Sequence, residues 1–159
     1  MLLSMAERNL HEKLMALGYN PEQGMAVRKM VSVSEKGKAY KLQVNGSRES
    51  VIYQVDGNII TDGNKCDKMI LVEHTADDWT QILVELKGAD VGHAILQLES
   101  TLKYPKLRHV SNKVKMARIV ATSFPSSRGN PILEKAKIRF LRNYNCDLRG
   151  MKSNQPDKI

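Results

Sequence analysis

The sequence predicts an α/β fold of the α+β kind, a central mixed β-sheet accompanied by helices. Three observations carry this reading. The first half alternates apolar and polar residues between short turn signals. The middle holds two continuous apolar runs, Met69-Ile70-Leu71-Val72 and Ile82-Leu83-Val84, separated by Asp77-Asp78. The second half reads strand, helix, strand, helix, which suggests a right-handed crossover between parallel strands.

Taken in order, Leu3, Ala6, Leu10, Leu14 and Leu17 recur at helical spacing and Gly18 is a stop, so a helix is expected over 3–17. A polar stretch with Pro21 and Gly24 follows. Tyr40, Leu42 and Val44 alternate with Lys41 and Gln43, giving a strand over 39–44. Asn45-Gly46 is a hairpin turn signal, 51–55 reads as the returning strand, and Asp56-Gly57 is a second turn. Strands are expected over 69–72 and 79–87, and a helix over 89–103 with Val91, Ala94, Ile95, Leu98 and Leu102 on one stripe. Pro105 ends it. A buried strand over 114–122 and a loop over 124–130 lead to a last helix, with Asn130 as cap and Pro131 as first residue. This gives one domain over 1–148, with 149–159 expected to be a disordered tail.

The 159 residues suffice for one core. A net charge of +8, from 25 Lys+Arg against 17 Asp+Glu, favours a polyanionic partner. Two cysteines without metal-type spacing argue against both a disulfide framework and a zinc site, and favour a cytoplasmic protein with reduced thiols. The first residues charge too early for a signal peptide, and no run reaches the roughly 20 apolar residues of a membrane span. No membrane partner is therefore expected. Neither a glycine-rich phosphate loop nor a Ser-His-Asp pattern occurs.

Glu85-Leu86-Lys87 closes the second apolar run and is followed by Gly88. Residues two apart on a strand share a face. Burying a Glu and a Lys there is costly unless they pair with each other or bind something. Asp67 opens the preceding apolar run and offers a second carboxylate. Asp67, Glu85 and the carbonyl of Leu86 form a hard-oxygen set suited to Mg²⁺. Lys87 would then orient a water or stabilise negative charge. Gln97 lies on a polar stripe of the following helix with Asp90, His93 and Thr101, positioned for a phosphate or a water.

Cys66-Asp67-Lys68-Met69-Ile70-Leu71, then Ile82-Leu83-Val84-Glu85-Leu86-Lys87-Gly88, then Ala94-Ile95-Leu96-Gln97-Leu98, resembles the core of the PD-(D/E)xK nuclease superfamily. The resemblance covers residues 51–124. It implies a restriction-endonuclease-like core, a central mixed β-sheet flanked by helices. It also implies a Mg²⁺-dependent nuclease, with Mn²⁺ as substitute, acting on DNA more than RNA, in defence or repair. Asp67 and Glu85 would bind the metal and Lys87 would assist the attacking water. The proline usual before the aspartate is Cys66 here. The superfamily also contains inactive members, so a nucleic-acid-binding or protein-interaction module on the same fold stands as the alternative.

Basic residues gather late: Lys103, Lys106, Arg108, Lys113, Lys115 and Arg118, then Arg128, Lys135, Lys137, Arg139 and Arg142. Lys135, Arg139 and Arg142 share a helix face and either track a nucleic-acid backbone, with Arg128 beside them, or solvate the helix. Aromatics at 5% are too few for a single-strand stacking platform, so duplex DNA fits better. A nuclease this small needs a homodimer or a larger complex to cut both strands.

Overall fold

The computed structural model describes residues 7–86, 90–121 and 130–159. Seven strands form one mixed sheet with three α-helices. In chain order they are α1 (Leu10–Ala16), β1 (Gln23–Glu35), β2 (Lys38–Gln54), β3 (Lys68–Thr75), β4 (Asp78–Glu85), α2 (Val91–Lys103), β5 (Asn112–Ala121), α3 (Pro131–Tyr144), β6 (Cys146–Lys152) and β7 (Pro156–Lys158). A 3₁₀ turn, Pro105–Leu107, follows α2. The sheet order is β1-β2-β3-β4-β5-β6. The first four strands are antiparallel, β5 and β6 are parallel to β4, and β7 adds parallel to β2.

The helices start and stop where local chemistry dictates. Asn9 caps α1: its Oδ1 accepts from the Glu12 amide at 2.9 Å, and its Nδ2 donates to the Glu12 carboxylate at 3.1 Å. Gly18, at φ +92°, supplies the left-handed residue that ends it. Asn130 caps α3 by accepting from Ile132 and Leu133, and Pro131 fills the first helical position.

The helices bury their apolar stripes against one face of the sheet. Leu10, Leu14, Ala94, Ile95, Leu98, Leu102, Leu133, Ala136 and Phe140 join Met69, Leu71, Trp79, Leu83, Ala117 and Ile119 in one core. The opposite face is covered differently from the expected helical flank. Among the described residues it is closed by the hairpin arm of β1 and β2, which places Val31, Val33, Tyr40 and Leu42 over Ile70, Ile82, Met116 and Val120.

That arm corrects two expectations. Residues expected as a polar stretch form β1, whose first half is an exposed or half-exposed edge. Asn45-Gly46 does not turn the chain back. Residues 44–47 of β2 lie opposite the single residue Lys29 of β1, so this segment is a wide bulge, with Gly46 at φ +80° and Ser47 at φ +53°. The bulge bends β2 from the main sheet into the arm. The hairpin turn is Lys36-Gly37, both at positive φ, between the paired Glu35 and Lys38.

The expected tail is also corrected. Residues 149–152 finish β6, and β7 docks on the arm through Asp157. Asp157 Oδ2 accepts from the Tyr40 hydroxyl at 2.6 Å and from Arg118 Nε at 2.7 Å. Arg118, 1% exposed, also donates to the Asp147 carboxylate at 3.1 Å and to the Asp147 carbonyl at 2.7 Å. A polar tail is ordered because a buried arginine on β5 needs a carboxylate.

Candidate functional site

Strand alternation places Asp67 and Glu85 on the helix side of the sheet. Met69 and Leu71 of β3, and Trp79 and Leu83 of β4, all point into the helix-side core. Asp67 and Glu85 continue those two parities. Both are buried, at 2% and 3% exposed. Lys68 is paired with Val84, so Asp67 and Glu85 are the next residues on two adjacent strands.

The strands part slightly at this step. The Asp67 amide donates to the Val84 carbonyl at 3.1 Å, and the Asp67 carbonyl accepts from Val55 at 2.9 Å. The Asp67 carboxylate then reaches across, its Oδ2 accepting from the Leu86 amide at 2.8 Å. A backbone donor at the strand end thereby finds a partner and fixes the carboxylate next to Glu85. The thiol of Cys66 reports the same clustering. Burial pushes its pKa up, and the carboxylates of Glu85 and Asp67 push it further in that direction. Cys66 and Cys146 are both buried free thiols.

α2 holds the segment that delivers Asp67. Gln97 Oε1 accepts from the Lys65 amide at 3.0 Å, and Thr101 Oγ1 accepts from the Cys66 amide at 2.9 Å. Gln97 is therefore brought to the site, with its side-chain oxygen engaged on backbone. It acts on Asp67 through the chain, as a positioning residue. Gln97→Ala is expected to cost about 1 kcal/mol, the low end of the range for orphaning an amide, because this one is only part-buried, whereas Gln97→Glu, which keeps the acceptor, should lose less; chemical denaturation of the three proteins measures the difference.

Leu86 packs its side chain into the arm-side core, leaving its backbone at the site. Lys87 and Arg128 lie outside the described residues. Among the described residues no group of three or more His, Cys, Asp or Glu side chains is placed to hold a metal ion, so the candidate donors are the two carboxylates and a backbone carbonyl. Glu12 is engaged in the cap of α1, and Asp56 pairs with Lys65 at 3.8 Å.

On the other face, buried Lys68 bonds Glu22 and Gln54. The sequence pattern did not reveal this cluster, because Glu22 lies in a turn region with no periodicity. The basic residues separate into groups. Arg118 is internal and belongs to no surface patch. Arg139 forks onto Glu99, its Nη2 donating at 3.1 Å, and Tyr144 donates to the same carboxylate at 2.9 Å. Burial alone would raise the Glu99 pKa, but these bonds outweigh it and hold the carboxyl below its ordinary value. Lys135 and Arg142 are exposed on α3, beside exposed Ile138 and Leu141. No described helix is long and apolar enough to cross a membrane.

No family model, curated protein or solved structure matches the chain.

Proposed function

We propose that the chain is a Mg²⁺-dependent nuclease with a restriction-endonuclease-like core, hydrolysing phosphodiester bonds of duplex DNA, in the cytoplasm, in defence or repair. One observation carries the reading: Asp67 and Glu85 sit buried side by side at the ends of β3 and β4, on the face that α2 covers. Buried carboxylates are costly to desolvate, and adjacent ones repel. A divalent cation offsets both costs.

The donor set fits Mg²⁺. Asp67 and Glu85 would hold it with the Leu86 carbonyl, and Mn²⁺ would substitute. When bound, the ion supplies positive charge where the phosphate gains negative charge and lowers the pKa of a water. The residues of the chain do the rest. The Leu86 amide holds the Asp67 carboxylate at the end of β4. Gln97 and Thr101 keep residues 65 and 66 against α2. Lys87, next along the chain, orients the attacking water or stabilises the transition-state charge. The excess positive charge draws in the DNA backbone, with Lys135 and Arg142 as the exposed contacts on α3. A homodimer or a larger complex would place two such sites on opposite strands.

Lys87→Ala is expected to cut cleavage of a labelled duplex in Mg²⁺ about a hundredfold or more while leaving the melting temperature within a few degrees. Gel assays of the purified chain check this. Equal cleavage by both proteins would remove Lys87 from the reading.

That no group of three or more His, Cys, Asp or Glu among the described residues is placed to hold a metal ion favours a second reading. The chain would then be a binding module that keeps the fold without cleavage. DNA binding that survives Asp67→Asn with Glu85→Gln, with no cleavage in Mg²⁺ or Mn²⁺, would select it.

A further inference from the structure

We propose that a cavity at the other end of the central strands binds a phosphorylated small molecule of mononucleotide size. The cavity measures about 530 Å³ and lies where α2 and α3 end and β5 begins. It reaches Gln81 on β4, four residues before Glu85, or about 13 Å along the strand. It is thus a separate place from the paired carboxylates. Its size falls among small-molecule sites and is too confined for a duplex.

Its charge is one-sided. Lys103 enters from the last turn of α2, Arg108 from the segment after the 3₁₀ turn, and Lys115 from β5, while no Asp or Glu among the described residues lines it. Among the described residues none of these three cations forms an ion pair. One competing account is that they merely offset the carboxyl ends of α2 and α3. Each helix end carries roughly half a negative charge, about −1 for the two, and Glu99, already paired with Arg139, interacts with Lys103 as well, so the three cations still leave an excess of positive charge. An anion of phosphate type balances that excess. His109 is engaged elsewhere, its two ring nitrogens bonded to Ser111 and to the Glu7 carbonyl.

The rest of the wall suits a ring system. Leu102, Leu107 and Val110 are apolar. The Tyr144 ring is held by its hydroxyl bond to Glu99 and by an edge contact with Phe140 at 5.8 Å. Asn112 supplies the most specific feature. Its side-chain Oδ1 and Nδ2 are both shielded from water and have no hydrogen-bond partner among the described residues. Buried amides are ordinarily paired. A base edge carrying a donor beside an acceptor satisfies both atoms at once, as Asn does for adenine, once the amide turns toward the cavity.

Titration calorimetry of the full chain tests this with the four nucleoside 5′-monophosphates, the nucleosides alone and inorganic phosphate. At least one monophosphate should bind about tenfold or more tightly than its nucleoside and than phosphate. Arg108→Ala with Lys115→Ala should weaken it about tenfold or more, and Asn112→Leu should weaken it without lowering the melting temperature. No binding at millimolar concentration would overturn the proposal. So would phosphate binding as tightly as the monophosphates, unchanged affinity in the double variant, or displacement of the monophosphate by a short duplex. Mn²⁺ binding is read on Asp67 and Glu85 alone, so this proposal and the nuclease reading fail separately.

Discussion

Glu85→Gln is expected to reduce duplex cleavage in Mg²⁺ about a thousandfold, corresponding to the several kcal/mol of charge stabilisation a bound divalent ion provides. Gln is nearly isosteric with Glu and removes one unit of buried charge, so the fold should tolerate it. Like-charge repulsion between the two carboxylates is one cost that the substitution removes. The substitution should therefore leave the melting temperature of the metal-free protein close to that of wild type. Asp67→Asn should give a similar loss of cleavage, because its side-chain oxygen can still accept from the Leu86 amide and keep β3 and β4 joined. Loss of activity together with unfolding would point to a purely structural carboxylate pair; loss of activity with an unchanged melting temperature is the expected outcome. Rate assays and thermal melts on the same samples separate the two.

Asp157→Ala is expected to have the largest effect on stability. It leaves the Arg118 guanidinium, 1% exposed, with one of its two carboxylates and takes the acceptor from the buried Tyr40 hydroxyl. Breaking a buried pair from one side costs about 3–5 kcal/mol. Asp147 still accepts from Arg118, which places the loss at about 3 kcal/mol. For a chain of this length that corresponds to a fall in melting temperature of roughly 6–12 °C. Arg118→Met with Tyr40→Phe and Asp157→Leu, which removes the charges and the hydroxyl together, should recover most of it.

The pH dependence follows from the same contacts. Burial alone would raise the Asp157 pKa; the Tyr40 hydroxyl and the Arg118 guanidinium outweigh it and hold the carboxyl below its ordinary value. The unfolded chain therefore takes up this proton at higher pH than the folded one. Stability from Asp157 is complete above the unfolded carboxylate pKa, about 3.9, and is lost as pH falls below it toward the folded value. Asp157→Asn should flatten the acid limb of the stability profile, measured by denaturant melts between about pH 3 and pH 7. An unchanged acid limb would show that this carboxylate is not linked to folding.

The elements around the carboxylates were legible because each had its own local signal. Met69 to Val72 and Ile82 to Val84 are continuous apolar runs, as strands buried on both faces require, and they became β3 and β4. Asn130-Pro131 marked the start of α3, and the apolar stripe of α2 matched its buried face. The adjacency of Asp67 and Glu85 could be guessed only as a hairpin pairing, and the register supplies it.

What was not legible depended on contacts far apart in sequence. β1 reads as polar because its first half is a solvated edge, so alternation appears only from Val31 onward. Asn45-Gly46 carries the chemistry of a tight turn, but the segments on either side both pair with β1 and take different partners, β7 and β3, on the other edge, and the positive φ values serve a bulge. The last residues lack apolar periodicity altogether. They are held by ion pairing with Arg118, which nothing in their own sequence announces. The basic residues near the end of α2 read only as members of a late basic cluster, and the fold brings Lys103, Arg108 and Lys115 to one cavity.

Titration of the purified chain with Mn²⁺, followed by calorimetry, tests the central claim most directly. Wild type is expected to bind the ion with saturable affinity, and Asp67→Asn with Glu85→Gln to bind none while melting normally. Equal binding by both proteins, or none by either, would contradict a metal site built on Asp67 and Glu85.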